Sequence, residues 1–213
     1  VRGTAANSRF LALGLIGAFQ SLAVGCFSEA DLSPEVPAQE QKALSEETKA
    51  AVRQFWIHYR EATALRLEGS LAAAIAAYSR ALAIDPRHED ALYNLGNVAF
   101  ESRQFSTAED AWKRLLEVNP RSARAHGQLG ALYSCASPQA PFDLARAEAE
   151  FLGAHRLNKE ETGPLLKLGE VALLRGDAPK ADEYLTAAVR TNNRSVGAHY
   201  LGGYLKWLER DID

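Results

Sequence analysis

Small residues recur at a set interval: Ala62, Gly96, Gly130, Gly169 and Gly203 follow one another at steps of 34, 34, 39 and 34 residues by subtraction. Three further series keep those steps. Ala74, Ala108, Ala147 and Ala181 form one, Tyr78, Trp112, Phe151 and Leu185 a second, and Ala81, Leu115, Ala154 and Ala188 a third. A period in this range marks a supersecondary unit that stacks on copies of itself, because one unit alone cannot bury its apolar face. A small residue lets two helix backbones approach, and a large one fills the space between neighbouring pairs. Pro86 and Pro120 close two of the units. Each lacks an amide hydrogen and biases the residue before it out of the α region, so one helix stops and another begins. The chain reads as antiparallel helix pairs in series, with Glu89 to Pro120 as the template.

That template, ALYNLGNVAF followed by Phe105, Ala108, Trp112 and the closing Asn119 and Pro120, resembles a tetratricopeptide repeat. The resemblance runs from about Phe55 to the C-terminus. The third unit departs from it with five extra residues between Gly130 and Ala147, and the third and fourth close with Lys159 and Asn193 in place of Pro. It implies an all-α fold, a right-handed helical solenoid of antiparallel pairs. Repeats are expected at about 55–88, 89–122, 123–161 and 162–195, with a partial or capping helix at 196–213, in a domain spanning 45–213. In this family the first helices line a concave groove that holds a peptide or protein element. The exposed face of each then proposes the binding residues: Tyr59, Arg60 and Thr63; Tyr93, Asn94 and Asn97; Arg124, Gln128 and Ala131; Lys167 and Glu170. Amides of this kind pair with a peptide backbone, and rings cover apolar side chains. One branch of the family grips a terminal carboxylate with a Lys, two Asn, a Lys and an Arg. Asn94 and Arg124 fall at matching places, whereas Tyr59, Thr63 and Gln128 replace the others.

Composition narrows the partners. With a formal charge of -3 there is no basic excess to track a phosphate backbone, which argues against nucleic acid. No Gly-rich phosphate loop, Cys-x-x-Cys, His-Glu-x-x-His or nucleophile elbow occurs in the sequence. The expectation is a protein that is not an enzyme and uses no cofactor or metal. His126 and His199 hold equivalent places in two first helices, where a packing role is expected. Cys135 would be a lone, partly buried thiol if Cys26 is modified.

The N-terminal segment, Val1 to Cys26, differs from the rest: Arg2 and Arg9 precede an apolar run of about 15 residues that ends in small ones. Such a run is shorter than the ~20 residues a helix needs to cross a bilayer and reads as an export signal. Ala23, Val24, Gly25 and Cys26 resemble a lipobox, with Cys26 as the lipidation site, although Leu22 lies one residue earlier than the usual aliphatic position. The expected location is outside the cytoplasm, periplasmic or membrane-anchored as a lipoprotein. Residues 27–44 carry Pro34 and Pro37 without apolar periodicity and read as a flexible linker. The chain begins with Val1 and holds no methionine, which fits a non-standard start codon or a fragment.

Ser45, followed by Glu46 and Glu47, starts a first helix that is longer than its later equivalents and is expected to shield the open end of the solenoid. Gly69 and Gly176 mark turns, and Ser134 to Phe142 an expanded one. In the last segment Tyr200, Leu201, Tyr204, Leu205, Trp207 and Leu208 cover more of a helix than one neighbour buries. The chain is either cut short there, or that surface meets another molecule. Two functions follow: an adaptor binding a protein or peptide in its groove within the bacterial envelope, or the docking portion of a longer secreted enzyme.

Overall fold

The computed structural model describes residues 45–209. They form helices α1 (Glu46–Leu67), α2 (Leu71–Ile84), α3 (Glu89–Glu101), α4 (Phe105–Val118), α5 (Ala123–Tyr133), α6 (Leu144–Leu157), α7 (Thr162–Leu174), α8 (Ala178–Thr191) and α9 (Val196–Glu209), with no strand among the described residues. The expected signal, lipobox and linker, residues 1–44, lie outside them. No described helix is long and apolar enough to cross a membrane.

Helix starts follow from local chemistry. The side chains of Ser45, Ser122, Asp143 and Asp177 each accept an orphan amide hydrogen of the first turn, and His88 does the same for α3 through Nδ1. The two helices of a pair meet through tight turns. Gly69 and Gly176 sit at φ 79° and 74°, where a side chain is strained, and Arg103 takes the same left-handed place between α3 and α4 at φ 60°. In the third pair the longer connection from Ser134 to Phe142 replaces such a turn and is held by the Asp143 amide donating to the Tyr133 carbonyl at 2.8 Å.

Packing follows the repeat. A Cβ built on Gly130 would stand 2.7 Å from the Phe151 ring, and one on Gly169 would stand 2.7 Å from a methyl of Leu185. At Gly96 the indole of Trp112 fills the same space. The second helix of each pair thus drives its large residue onto the bare backbone of the first. Tyr78, Trp112, Phe151 and Leu185 are all buried, and so are Ala62, Ala74, Ala108, Ala147 and Ala181. The second helices are also tied along the stack. Glu109 of α4 accepts from Arg146 of α6 at 3.0 Å, and Glu148 of α6 pairs with Lys180 of α8 and with Arg175 of α7.

α1 is longer than the later first helices, as expected, and at its end of the stack it exposes Val52, Trp56 and Ile57, on which nothing described packs. One expectation needs correction. His126 is packed, bonded through Nδ1 to Glu150 at 2.6 Å, but His199 is exposed: the helix that would cover it has no counterpart among the described residues, and its Nε2–H donates to the Asn193 carbonyl at 2.8 Å.

Candidate peptide-binding face

First helices lie side by side and are joined by hydrogen bonds at the repeat interval. Asn94 Nδ2 of α3 donates to the Tyr59 hydroxyl of α1 at 2.9 Å, and Gln128 Nε2 of α5 donates to the Tyr93 hydroxyl of α3 at 3.1 Å. Both bonds come from the same helical register, since the ring and the amide sit one repeat and one residue apart. Burial raises the Tyr59 pKa above its ordinary value, with Tyr78 and Asp90 adding to the effect. The phenol is therefore neutral and acts as the acceptor.

Arg124 is the most firmly placed cation of this face. It pairs with Asp90 across the α3–α5 boundary at 2.5 Å, and its guanidinium carbon lies 4.7 Å from the centre of the Tyr93 ring. Such stacking is worth about 0.5–1 kcal/mol at an exposed site. The guanidinium keeps unused N–H groups, because one carboxylate cannot satisfy all five donors.

Tyr93, Arg124, Gln128, Ala131 and Lys167 come together around a depression of about 280 Å³ that reaches from α3 across α5 to α7. Phe151 and Leu166 supply apolar surface to it, and Glu161 one carboxylate. Asn94 stands next to Tyr93 in α3, half-buried. Other candidates are placed differently. Thr63 is turned inward, its hydroxyl donating to the Tyr59 carbonyl at 3.0 Å and lying 3.1 Å from the Tyr78 hydroxyl. Arg60 lines a separate depression on α1 with Val52, Trp56 and Ile57 and donates to the Trp56 carbonyl. Glu170 pairs with Lys167 at 2.7 Å but does not line the 280 Å³ depression, and Asn97 is half-buried with no side-chain bond among the described residues. Asp90 and Glu161 were missed in the sequence. The interval of 34 residues between Asp90 and Arg124, opposite charges one repeat apart, is the signal that finds the first of them.

No group of His, Cys, Asp and Glu among the described residues could hold a metal ion. Cys135 is a free thiol, half-buried.

Two family models match the chain: "TPR repeat" over residues 62–102 and "Tetratricopeptide repeat" over residues 93–133. No curated protein matches it. Among solved structures it is similar to MamA (residue 41 to the end) from Desulfovibrio magneticus RS-1, at 21% identity over 70% of this chain and 81% of that one, with a TM-score of 0.61. It is also similar to PilF of Pseudomonas aeruginosa, at 22% identity over 76% of this chain and 72% of that one, with a TM-score of 0.64. A third similar structure is YrrB, described as a TPR protein with an unusual peptide-binding site, at 20% identity over 73% of this chain and 78% of that one, with a TM-score of 0.58. At these identities the likeness is one of fold. The repeat models show tetratricopeptide repeats within residues 62–133, repeats of a kind that suggests a protein-interaction module, and the described helices share the fold of tetratricopeptide-repeat solenoids.

Proposed function

We propose that this protein is a non-enzymatic adaptor that holds a peptide or a protein element on its first-helix face, in the bacterial cell envelope. The observation that carries the reading is the depression spanning α3, α5 and α7, where Arg124 is held in place by Asp90 and Tyr93 before any ligand arrives. A cation fixed in this way loses little conformational freedom on binding, which favours capture of a carboxylate side chain or terminus. Gln128 offers an amide group to a backbone from within the depression and Asn94 one from beside it, and Phe151 and Leu166 offer apolar contact. YrrB, a structure of similar fold, is described as having a peptide-binding site, which supports a peptide as the ligand class. Export and anchoring rest on residues Val1 to Cys26 alone.

The test is capture of partners from envelope extract by the wild type and by Arg124→Ala, Asn94→Ala and Lys113→Ala, with helicity checked for each. The first two lose the partner, and Lys113→Ala, on a second helix away from the depression, retains it. Full retention by Arg124→Ala and Asn94→Ala sinks the reading.

A further inference from the structure

The row of rings and amides along the first helices skips a step in the middle of the stack. Tyr59 meets Asn94 and Tyr93 meets Gln128, each ring answered by the amide one repeat and one residue further on. The next member of the ring series is Gly127, and the next of the amide series is Lys167, allowing for the five residues inserted after Gly130. α5 therefore has no ring to offer there, and the Lys167 ammonium is bonded to Glu170 of its own helix at 2.7 Å. An ammonium has three donors, so that pair leaves two. The residue that covers the ring is replaced as well: Arg124 lies over Tyr93, and Gly163 holds the equivalent place in α7.

The chain's own packing does not require glycine at these two positions. A Cβ on Gly127 would meet nothing within 4 Å among the described residues, and one on Gly163 would make only ordinary contact with Glu161 at 3.6 Å. Neither has a positive φ. Gly96, Gly130 and Gly169, by contrast, are each filled by a side chain of the partner helix. Glycine inside a helix is less stable than alanine, so Gly127 carries a cost that no internal contact offsets. What it creates is space. The depression of about 280 Å³ opens over Gly127 and Gly163, bounded by Tyr93 from α3 and Leu166 from α7, with Lys167 at its margin.

We infer that this recess receives a tyrosine side chain of the bound peptide, whose hydroxyl accepts from Lys167 Nζ where the chain's own third ring is absent. The inference rests on the peptide-binding reading above and names the residue that the face selects. The ring packs on Tyr93 and Leu166 and leaves only its polar tip to be answered. That tip is an acceptor, since an ammonium can only donate. Glu161, at the same depression, and Glu170, paired with Lys167, offset the lysine charge, which favours a neutral phenol over a second carboxylate. Arg124 stands one helical turn from Gly127, so the acid it captures and the tyrosine are close neighbours in the peptide.

The probe is the capped peptide Ala-Asp-Tyr-Ala, titrated into the millimolar range against the full chain and read by amide chemical shifts. Saturable shifts should centre on Gly127, Gly163 and Lys167. The same peptide with Phe for Tyr should bind about threefold to tenfold more weakly, the worth of one hydrogen bond. In Lys167→Ala the two peptides should bind alike, a signature that lost packing does not produce. Gly127→Tyr supplies the absent ring from within; it should keep its helicity and weaken the peptide at least about tenfold. Absence of saturable shifts overturns the inference, as does equal affinity of the two peptides for the wild type or a tyrosine preference that survives in Lys167→Ala. A folded Gly127→Tyr chain that binds as the wild type does overturns it too. Arg124→Ala judges the acid-binding reading separately. Peptide lost there, with no tyrosine preference in the wild type, keeps that reading and sinks this one, whereas unchanged affinity with the preference intact does the reverse.

Discussion

The indole of Trp112 occupies the space that a Cβ on Gly96 would need. Trp112 is fully buried and its Nε1–H reaches the Tyr93 carbonyl at 3.4 Å, so the ring joins α4 to the very helix that bears the binding face. Trp112→Ala should destabilise by about 3–5 kcal/mol through the cavity it leaves. Gly96→Ala, although it raises helix propensity, should cost about 1–3 kcal/mol by overpacking. Urea unfolding followed by circular dichroism measures both. An unchanged midpoint for Gly96→Ala would show that the joint yields freely.

Glu109 predicts an acid response. It accepts hydrogen bonds from Tyr133 at 2.8 Å and Arg146 at 3.0 Å and pairs with Lys113 at 2.7 Å. Burial pushes its pKa up, but the hydrogen bonds from Lys113, Tyr133 and Arg146 outweigh burial and hold it below its ordinary value of 4.5. A carboxylate lowered in the folded state contributes stability that is full above the ordinary value and is lost as pH falls through the folded one. The wild type should therefore lose more stability than Glu109→Gln as pH falls from 7 to below the ordinary carboxylate range. Equal losses in urea titrations at the two pH values would exclude Glu109 from the response.

Tyr59 and Asn94 form a bond that spans a repeat boundary. Tyr59→Phe and Asn94→Ala, made singly and together, should show a coupling of about 0.5–1.5 kcal/mol in stability. Additive effects would mean that the bond is idle in solution.

Arg103, with a positive φ at the turn where two other pairs place glycine, should accept glycine with profit. Arg103→Gly is expected to raise stability by about 0.5–1 kcal/mol, the strain relieved exceeding the entropy lost from the unfolded chain. A lowered melting temperature would refute this.

Cys26, in the segment preceding the described residues, is proposed to carry lipid. Expressed in a bacterium, the protein should enter the detergent phase, and Cys26→Ala should leave it aqueous or unprocessed. Identical partitioning of the two, with no acyl mass on the mature N-terminus, rules lipidation out.

The solenoid was legible because its rule is steric. Gly96 and Trp112, or Gly130 and Phe151, advertise one close approach each, and the regular interval repeats the advertisement. The binding face was only half legible. Tyr93, Arg124 and Gln128 could be placed by helical spacing, but the inward turn of Thr63 toward Tyr78 depends on side-chain rotamers that spacing does not encode. Asp90 was hidden for a different reason: one pair of opposite charges a repeat apart is weak against a chain in which 24% of residues are charged. Arg103 carries no turn signal at all, since arginine is not a residue type that marks a left-handed position.

The core thins along the stack. The cluster built on Trp112 and Phe151 reaches Leu168 of α7, Ala188 of α8 and Ala198 of α9, but the last cluster of the stack holds only Ala172, Ala181 and Leu205 as buried members. In a stack where each repeat touches only its neighbours, local opening is cheapest where those contacts are fewest. Amide hydrogens of α8 and α9 should exchange with solvent before those of α3 to α6. On that gradient the face around Arg124 meets a ligand as a rigid template, while the end bearing Gly203 is the part of the stack that opens first.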